Sequence, residues 1–179
     1  MIDSTTGIEK MSYIVFAYGS NMCSGRFRAY GIEPVGRGRA ALLDRYCLDF
    51  NKLSKDGSGK ATVSPRDGYH VWGVLYEVDD AGLARLDKGE GTGYKRSKGN
   101  VRTADGIPVE AWVYIATKPI TSHELRPYTW YKRFIVEGAQ EHLIPPEYIT
   151  GLREIDAMID PDSKRHGEKW ALPCASSPE

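Results

Sequence analysis

The chain has 179 residues, with 24 Lys plus Arg set against 24 Asp plus Glu, a formal net charge of zero and 27% charged residues. That length suggests one domain with its own core, and the charge balance argues against a general nucleic-acid binder, which would carry a basic excess. No apolar run reaches the roughly 20 residues that a membrane-spanning helix needs, and polar Met1–Lys10 lacks the apolar centre of a signal peptide. In chain order, residues 1–11 read as a flexible tail with Met11 as a second candidate start. Residues 12–160 read as a single domain and 161–179 as a loosely attached tail rich in charge, then in Pro, Ala and Ser.

Tyr13-Ile14-Val15-Phe16-Ala17 predicts a buried strand. The segment Val35 to Asn51 predicts a hairpin turning at Asp44-Arg45, followed by a polar loop from Lys52 to Gly59. Ala61-Thr62-Val63 reads as a short strand ended by Pro65. Val71 to Val78 is nearly continuous in β-formers, which predicts a central strand covered on both faces. Asp79-Asp80 can cap a short helix that aligns Leu83 with Leu86 and ends at Gly89. Tyr94–Thr103 and Ile107–Ala116 are strands joined through Asp105-Gly106, a strong hairpin signal. From Pro127 the period becomes helical, with Tyr131, Phe134, Ile135 and Gly138 on one face. Pro145-Pro146 breaks it, and Pro146 opens a last helix lined by Tyr148, Ile149, Leu152, Ile155 and Ile159. Strands first and helices last imply an α+β fold, a mostly antiparallel sheet with one or two helices packed on it, and five to seven strands in so small a chain could curl into a partial barrel with a cavity at one mouth.

Cys23, Cys47 and Cys174 are odd in number and far apart, and His70, His123, His142 and His166 show no ligand spacing. The reading is a reduced, cytoplasmic protein with no metal and no cofactor.

Two segments carry candidate chemistry. Directly after the first strand comes Tyr18-Gly19-Ser20-Asn21-Met22. Gly, Ser and Asn are common turn residues, so an ordinary turn fits. A cradle for an anion or carbonyl fits equally, since Gly lets a ligand approach backbone N–H groups closely. The second segment is Leu86-Asp87-Lys88-Gly89-Glu90-Gly91-Thr92-Gly93-Tyr94. Glycine on both sides of Glu90 suits presentation of a carboxylate into a pocket, where burial raises its pKa toward neutrality. A solvent-exposed Glu in a flexible loop is the alternative.

Phe16-Ala17-Tyr18-Gly19-Ser20-Asn21-Met22, Val71-Trp72-Gly73-Val74-Leu75-Tyr76, Leu86-Asp87-Lys88-Gly89-Glu90-Gly91, Tyr131 with Gly138-Ala139, and Pro146-Glu147-Tyr148 together resemble the γ-glutamylcyclotransferase family. The likeness runs in order from about Tyr13 to Ile155. It implies that family's fold, a small mixed, mostly antiparallel barrel-like sheet with flanking helices, a substrate-binding loop at Tyr18, Gly19, Ser20, Asn21 and Met22, Glu90 as catalytic acid/base, and Tyr131 and Tyr94 at the pocket. Tyr94 stands closer to Glu90 than its counterpart in the animal glutathione-pathway members, a departure that bears on its pocket role and on substrate choice.

The implied reaction is cyclisation of a γ-glutamyl amide to 5-oxoproline with release of an amine or amino acid, an acyl transfer within one molecule. The expected partner is a small γ-glutamyl substrate, with no nucleic acid and no membrane. Two alternatives remain at this stage. The substrate could be a γ-glutamylamine or a γ-glutamyl-protected metabolite, or the chain could be a non-catalytic binder on the same scaffold.

Overall fold

A computed structural model describes residues 11–118 and 125–174. The expected tail at 1–11, apart from Met11, and the last residues of the expected tail at 161–179 lie outside the described residues. Five strands form a closed barrel in the order β1-β3-β2-β4-β5. They are β1 (Ser12–Ala17), β2 (Arg39–Leu53), β3 (Gly59–Asp79), β4 (Tyr94–Thr103) and β5 (Pro108–Ala116). All pairs are antiparallel except β1 with β5, whose parallel contact at Val15↔Trp112 closes the barrel. Closure leaves no bare sheet edge.

Phe16, Val63, Val74, Tyr76 and Val113 are buried in the core that the two faces of the sheet share, and Tyr76 stacks on Phe27 on the face turned toward the helices. The run Val71 to Val78 is central, as expected, pairing with β1 on one side and β2 on the other. The β4–β5 hairpin turns at Asp105-Gly106, where Gly106 has a φ of 88°, the left-handed conformation that glycine adopts without strain.

The expected hairpin at Asp44-Arg45 is absent: β2 runs straight through those residues as one strand. Arg45 adopts a φ of 64° and the register shifts between Asp44 and Tyr46, so the turn-like residues form a bulge rather than a reversal. Opposite it, β3 also continues past Pro65, joining the two strands expected on either side. Asp44 pairs with His70 and Tyr46 with Pro65, so residues 66–69 swing outward as an exposed excursion. Pro65 is tolerated because it stands where the ladder is already interrupted.

Five helices flank the barrel: α1 (Ser24–Ala29), α2 (Asp80–Glu90), α3 (Thr129–Glu141), α4 (Pro146–Glu154) and α5 (Ser163–Ala171). Asp79 caps α2 by accepting from the Gly82 N–H, and Leu83 and Leu86 point inward. α3 buries Trp130, Tyr131, Phe134, Ile135, Gly138 and Ala139. α4 starts at Pro146 as expected but stops at Glu154, which leaves Ile159 outside it and 74% exposed.

The C-terminal stretch expected to hang loosely instead carries α5 and returns to the core. Arg165 grips Asp160 through two nitrogens at 2.7 and 2.6 Å, holding that carboxyl down at about 2. Cys174 is buried beside Cys23, with Cα atoms 5.0 Å apart, while Cys47 lies elsewhere. The expectation of cysteines that all lie apart is thereby corrected for this pair. The partners lie 151 residues apart in the chain, and the fold alone brings them together. Among the described residues, no helix is long and apolar enough to cross a membrane and no cluster of His, Cys, Asp and Glu could hold a metal ion.

Candidate active site

A cavity of about 190 Å³ opens where β1 ends, between the barrel and the helices α1, α2 and α3. Tyr18, Gly19, Ser20, Asn21, Glu90, Tyr94 and Tyr131 all line it. β1 ends at Ala17, and Ser20–Met22 form a 3-10 turn whose N–H bonds close at Met22 to Gly19 and Cys23 to Ser20. The N–H groups of Ser20 and Asn21 open that turn and so have no partner within it. Gly19 is tightly enclosed: a Cβ there would lie 3.1 Å from the Ala61 Cβ and 3.3 Å from the Tyr131 hydroxyl.

Glu90 does not sit in a flexible loop. It is the last residue of α2, and the reversal falls on Gly91, whose φ is 59° and whose N–H caps the Asp87 carbonyl. The helix is fixed one turn earlier: Asp87 accepts from the Tyr114 hydroxyl at 2.7 Å and pairs with Arg96 at 2.8 Å. Glu90 therefore enters the cavity from a rigid support anchored on β4 and β5. Its Oε1 accepts from the Asn21 amide at 2.9 Å, which links the two sequence segments directly.

Burial pushes the Glu90 carboxyl up to about 6, against the opposing pull of Arg26, the Asn21 hydrogen bond and Lys52. The tyrosines behave differently. Burial first, and then the nearby Glu90 charge among other groups, pushes Tyr18 and Tyr94 well above the ordinary phenol range. Burial also raises Tyr131. Their hydroxyls stay protonated near neutral pH and serve as fixed hydrogen-bonding groups. Tyr18 donates to the Tyr114 carbonyl and Tyr94 to the Ala61 carbonyl at 2.7 Å, while Tyr131 accepts from the Ala61 N–H at 3.1 Å. Both backbone groups of Ala61 thus hold pocket tyrosines in place. Glu90 is the one acid among the lining residues, and it titrates close to the range where proton transfer in both directions is easy.

Met22 stands apart from the other loop residues. It is fully buried beneath the loop, away from the cavity lining, and its carbonyl accepts from the Tyr76 hydroxyl at 2.7 Å. It packs against α3 at Gly138, where a Cβ would lie 2.5 Å from the Cys23 nitrogen and the Met22 carbonyl carbon. Arg26, Lys52, Lys60, Arg85 and Tyr114 line the cavity without having been foreseen. For Arg26 the one available signal was its place on the helical turn straight after Tyr18–Met22.

Residues 70–152 match the model of the AIG2-like family. The γ-glutamylcyclotransferase of Bos taurus is 32% identical over 154 residues, a span of 81% of this chain and 79% of the bovine protein. The chain belongs to the γ-glutamylcyclotransferase family. The Homo sapiens γ-glutamylcyclotransferase is 31% identical over 160 residues, covering 84% of this chain and 82% of the human one. A solved structure named γ-glutamyl cyclotransferase superposes with a TM-score of 0.74 at 26% identity, covering 88% of this chain and 99% of that one. The chain is thus an enzyme of the γ-glutamylcyclotransferase type, and the barrel with flanking helices is the fold of that family.

Proposed function

We propose that this chain cyclises a small γ-glutamyl amide to 5-oxoproline and releases the free amine or amino acid, with Glu90 as the general acid/base. The observation that carries this reading is a lone cavity carboxylate on a rigid helix end, raised to about 6 and bonded to the Asn21 side chain of the loop opposite.

The residues suffice for each step. The α-ammonium of the substrate gives a proton to the Glu90 carboxylate, and the freed amine nitrogen attacks the γ-carbonyl carbon. The new C–N bond closes the lactam ring while the carbonyl π electrons move onto oxygen. N–H groups at Gly19, Ser20 and Asn21 are suited to hold that oxyanion. The oxyanion collapses, the bond to the leaving nitrogen breaks, Glu90 returns its proton to that nitrogen, and the extra proton left on the ring nitrogen passes to the released amine, which departs as an ammonium. No water is consumed and no enzyme nucleophile is needed, because amine and carbonyl belong to one molecule and react at high effective molarity. Tyr18, Tyr94 and Tyr131 shape the cavity in this account.

Glu90→Gln tests the assignment, since it keeps the shape and removes the titrating group. Turnover of a γ-glutamyl compound should fall by about 10²-fold or more, while its affinity and the melting temperature stay near wild type. Turnover within a few-fold of wild type would exclude Glu90 from proton transfer. Comparing γ-glutamyl amino acids with γ-glutamylamines in the same assay identifies the leaving group.

A further inference from the structure

Arg26 is the most unusual charge in the molecule. It projects from α1, directly after the loop, and lines the cavity with only 9% of its surface exposed. Its guanidinium carbon lies 5.3, 5.9 and 5.1 Å from the ring centroids of Tyr30, Trp130 and Phe134. Among the described residues the guanidinium forms no hydrogen bond and no ion pair, and its Nε is sealed from solvent without an acceptor.

Aromatic faces attract a cation but do not accept hydrogen bonds along the plane of the fork. A buried charge left in this state is costly unless something supplies the missing counter-charge. None of the neighbouring acids hydrogen-bonds or ion-pairs with it directly, although Glu90 is near enough for the two charges to interact. Asp56 is taken by Lys60 at 2.8 Å, and Lys60 sits over the same Trp130 ring. Asp160 is taken by Arg165 and the Trp130 N–H, and Glu90 by Asn21. The cavity lining therefore sets Arg26, Lys52, Lys60 and Arg85 against a single carboxylate, Glu90. Such a cavity is incomplete until an anion enters.

We propose that Arg26 is the bidentate anchor for a carboxylate of the substrate, a role that rests on the cyclotransferase reading of this cavity. The planar fork of a guanidinium matches a carboxylate with two parallel hydrogen bonds. Every γ-glutamyl compound carries the glutamyl α-carboxylate, and a γ-glutamyl amino acid carries a second one on its leaving group. Both present the same chemistry to Arg26.

The test compares wild type with Arg26→Gln on γ-glutamylalanine, which has both carboxylates, and on γ-glutamyl-methylamide, which has only the first. kcat and KM are measured separately, with the melting temperature alongside. KM should rise about 10- to 100-fold, the effect of losing a charge-assisted pair, while kcat changes far less. A rise for both compounds assigns the glutamyl carboxylate, and a rise for γ-glutamylalanine alone assigns the leaving group. KM within two-fold of wild type for both overturns the anchor. If Arg26→Gln does not fold, Arg26→Lys replaces it, because it keeps the charge and loses the fork. A KM rise of several-fold then supports the anchor and an unchanged KM overturns it. Wild-type protein that turns over neither compound defeats the cyclotransferase reading instead. Calorimetry with γ-glutamylalanine then judges Arg26: weaker binding to the variant supports the anchor, and equal or no binding overturns it.

Discussion

Asn21→Ala separates the loop's electrostatic contribution from its shape. The Asn21 amide donates to Glu90 Oε1 at 2.9 Å, and a donor favours the charged form of the carboxyl it meets. Glu90 must be ionised to accept the substrate's proton, so the acid limb of kcat/KM should follow its ionisation, at about pH 6 in wild type. Removing the donor leaves the buried carboxylate less stabilised, so its pKa rises further and the limb moves to higher pH. A hydrogen bond to a charged group contributes about 1.5–3 kcal/mol, and taking the lower end for this half-buried pair moves the limb by about one unit. At about pH 6 the ionised fraction then drops from about a half to about a tenth, a roughly five-fold loss. At about pH 8 nearly all of the carboxyl is ionised in both proteins, so the ratio between the two pH values isolates the titration from any general loss of activity. The assay is amine release from a γ-glutamyl compound across this range. A limb that stays in place, or moves toward acid, would refute the coupling between the loop and Glu90.

Other consequences follow from packing and composition. Gly138→Ala puts a Cβ 2.5 Å from the Cys23 nitrogen and the Met22 carbonyl carbon, both backbone, so the loop must shift away from α3. The expected result is a melting temperature lower by several degrees together with a raised KM, and an unchanged KM would show that α3 does not set the loop position. Activity should survive exhaustive chelation, because the reaction as written needs no Lewis acid. Loss in EDTA that a specific metal restores would contradict the proposed chemistry.

The parts of the fold legible in the chain were those governed by neighbours in sequence. The apolar run before Tyr18 ended where β1 ends, the Asp105-Gly106 pair turned the β4–β5 hairpin, and Asp79 capped α2. Asp44-Arg45 misled because its residue types suit a turn, whereas the long pairing of β2 with β3 holds the strand together and absorbs Arg45 as a bulge. Glu90 was recognisable, but its helical support was not. Glycine at position 89 looked like a stop, while the true reversal falls on Gly91, and the anchor of α2 is Asp87 reaching across to Tyr114 and Arg96.

Other features depend on distant chain segments and left no local trace. Met22 shares a motif with cavity residues yet is drawn into the core by Tyr76 and α3. Cys23 meets Cys174 only because the C-terminal stretch folds back over the start of α1. Arg26 escaped notice because arginine on a short helix is ordinarily a surface residue, and its burial comes from Trp130 and Phe134 on a helix a hundred residues later in the chain.

The central claim is that the substrate's own amine, rather than water, attacks the γ-carbonyl. Incubation of the protein with a γ-glutamyl amino acid, followed by mass analysis of the products, tests it most directly. The account predicts 5-oxoproline and the free amino acid in equal amounts, with no mass gained from water. Free glutamate as the product would mean hydrolysis and would contradict it.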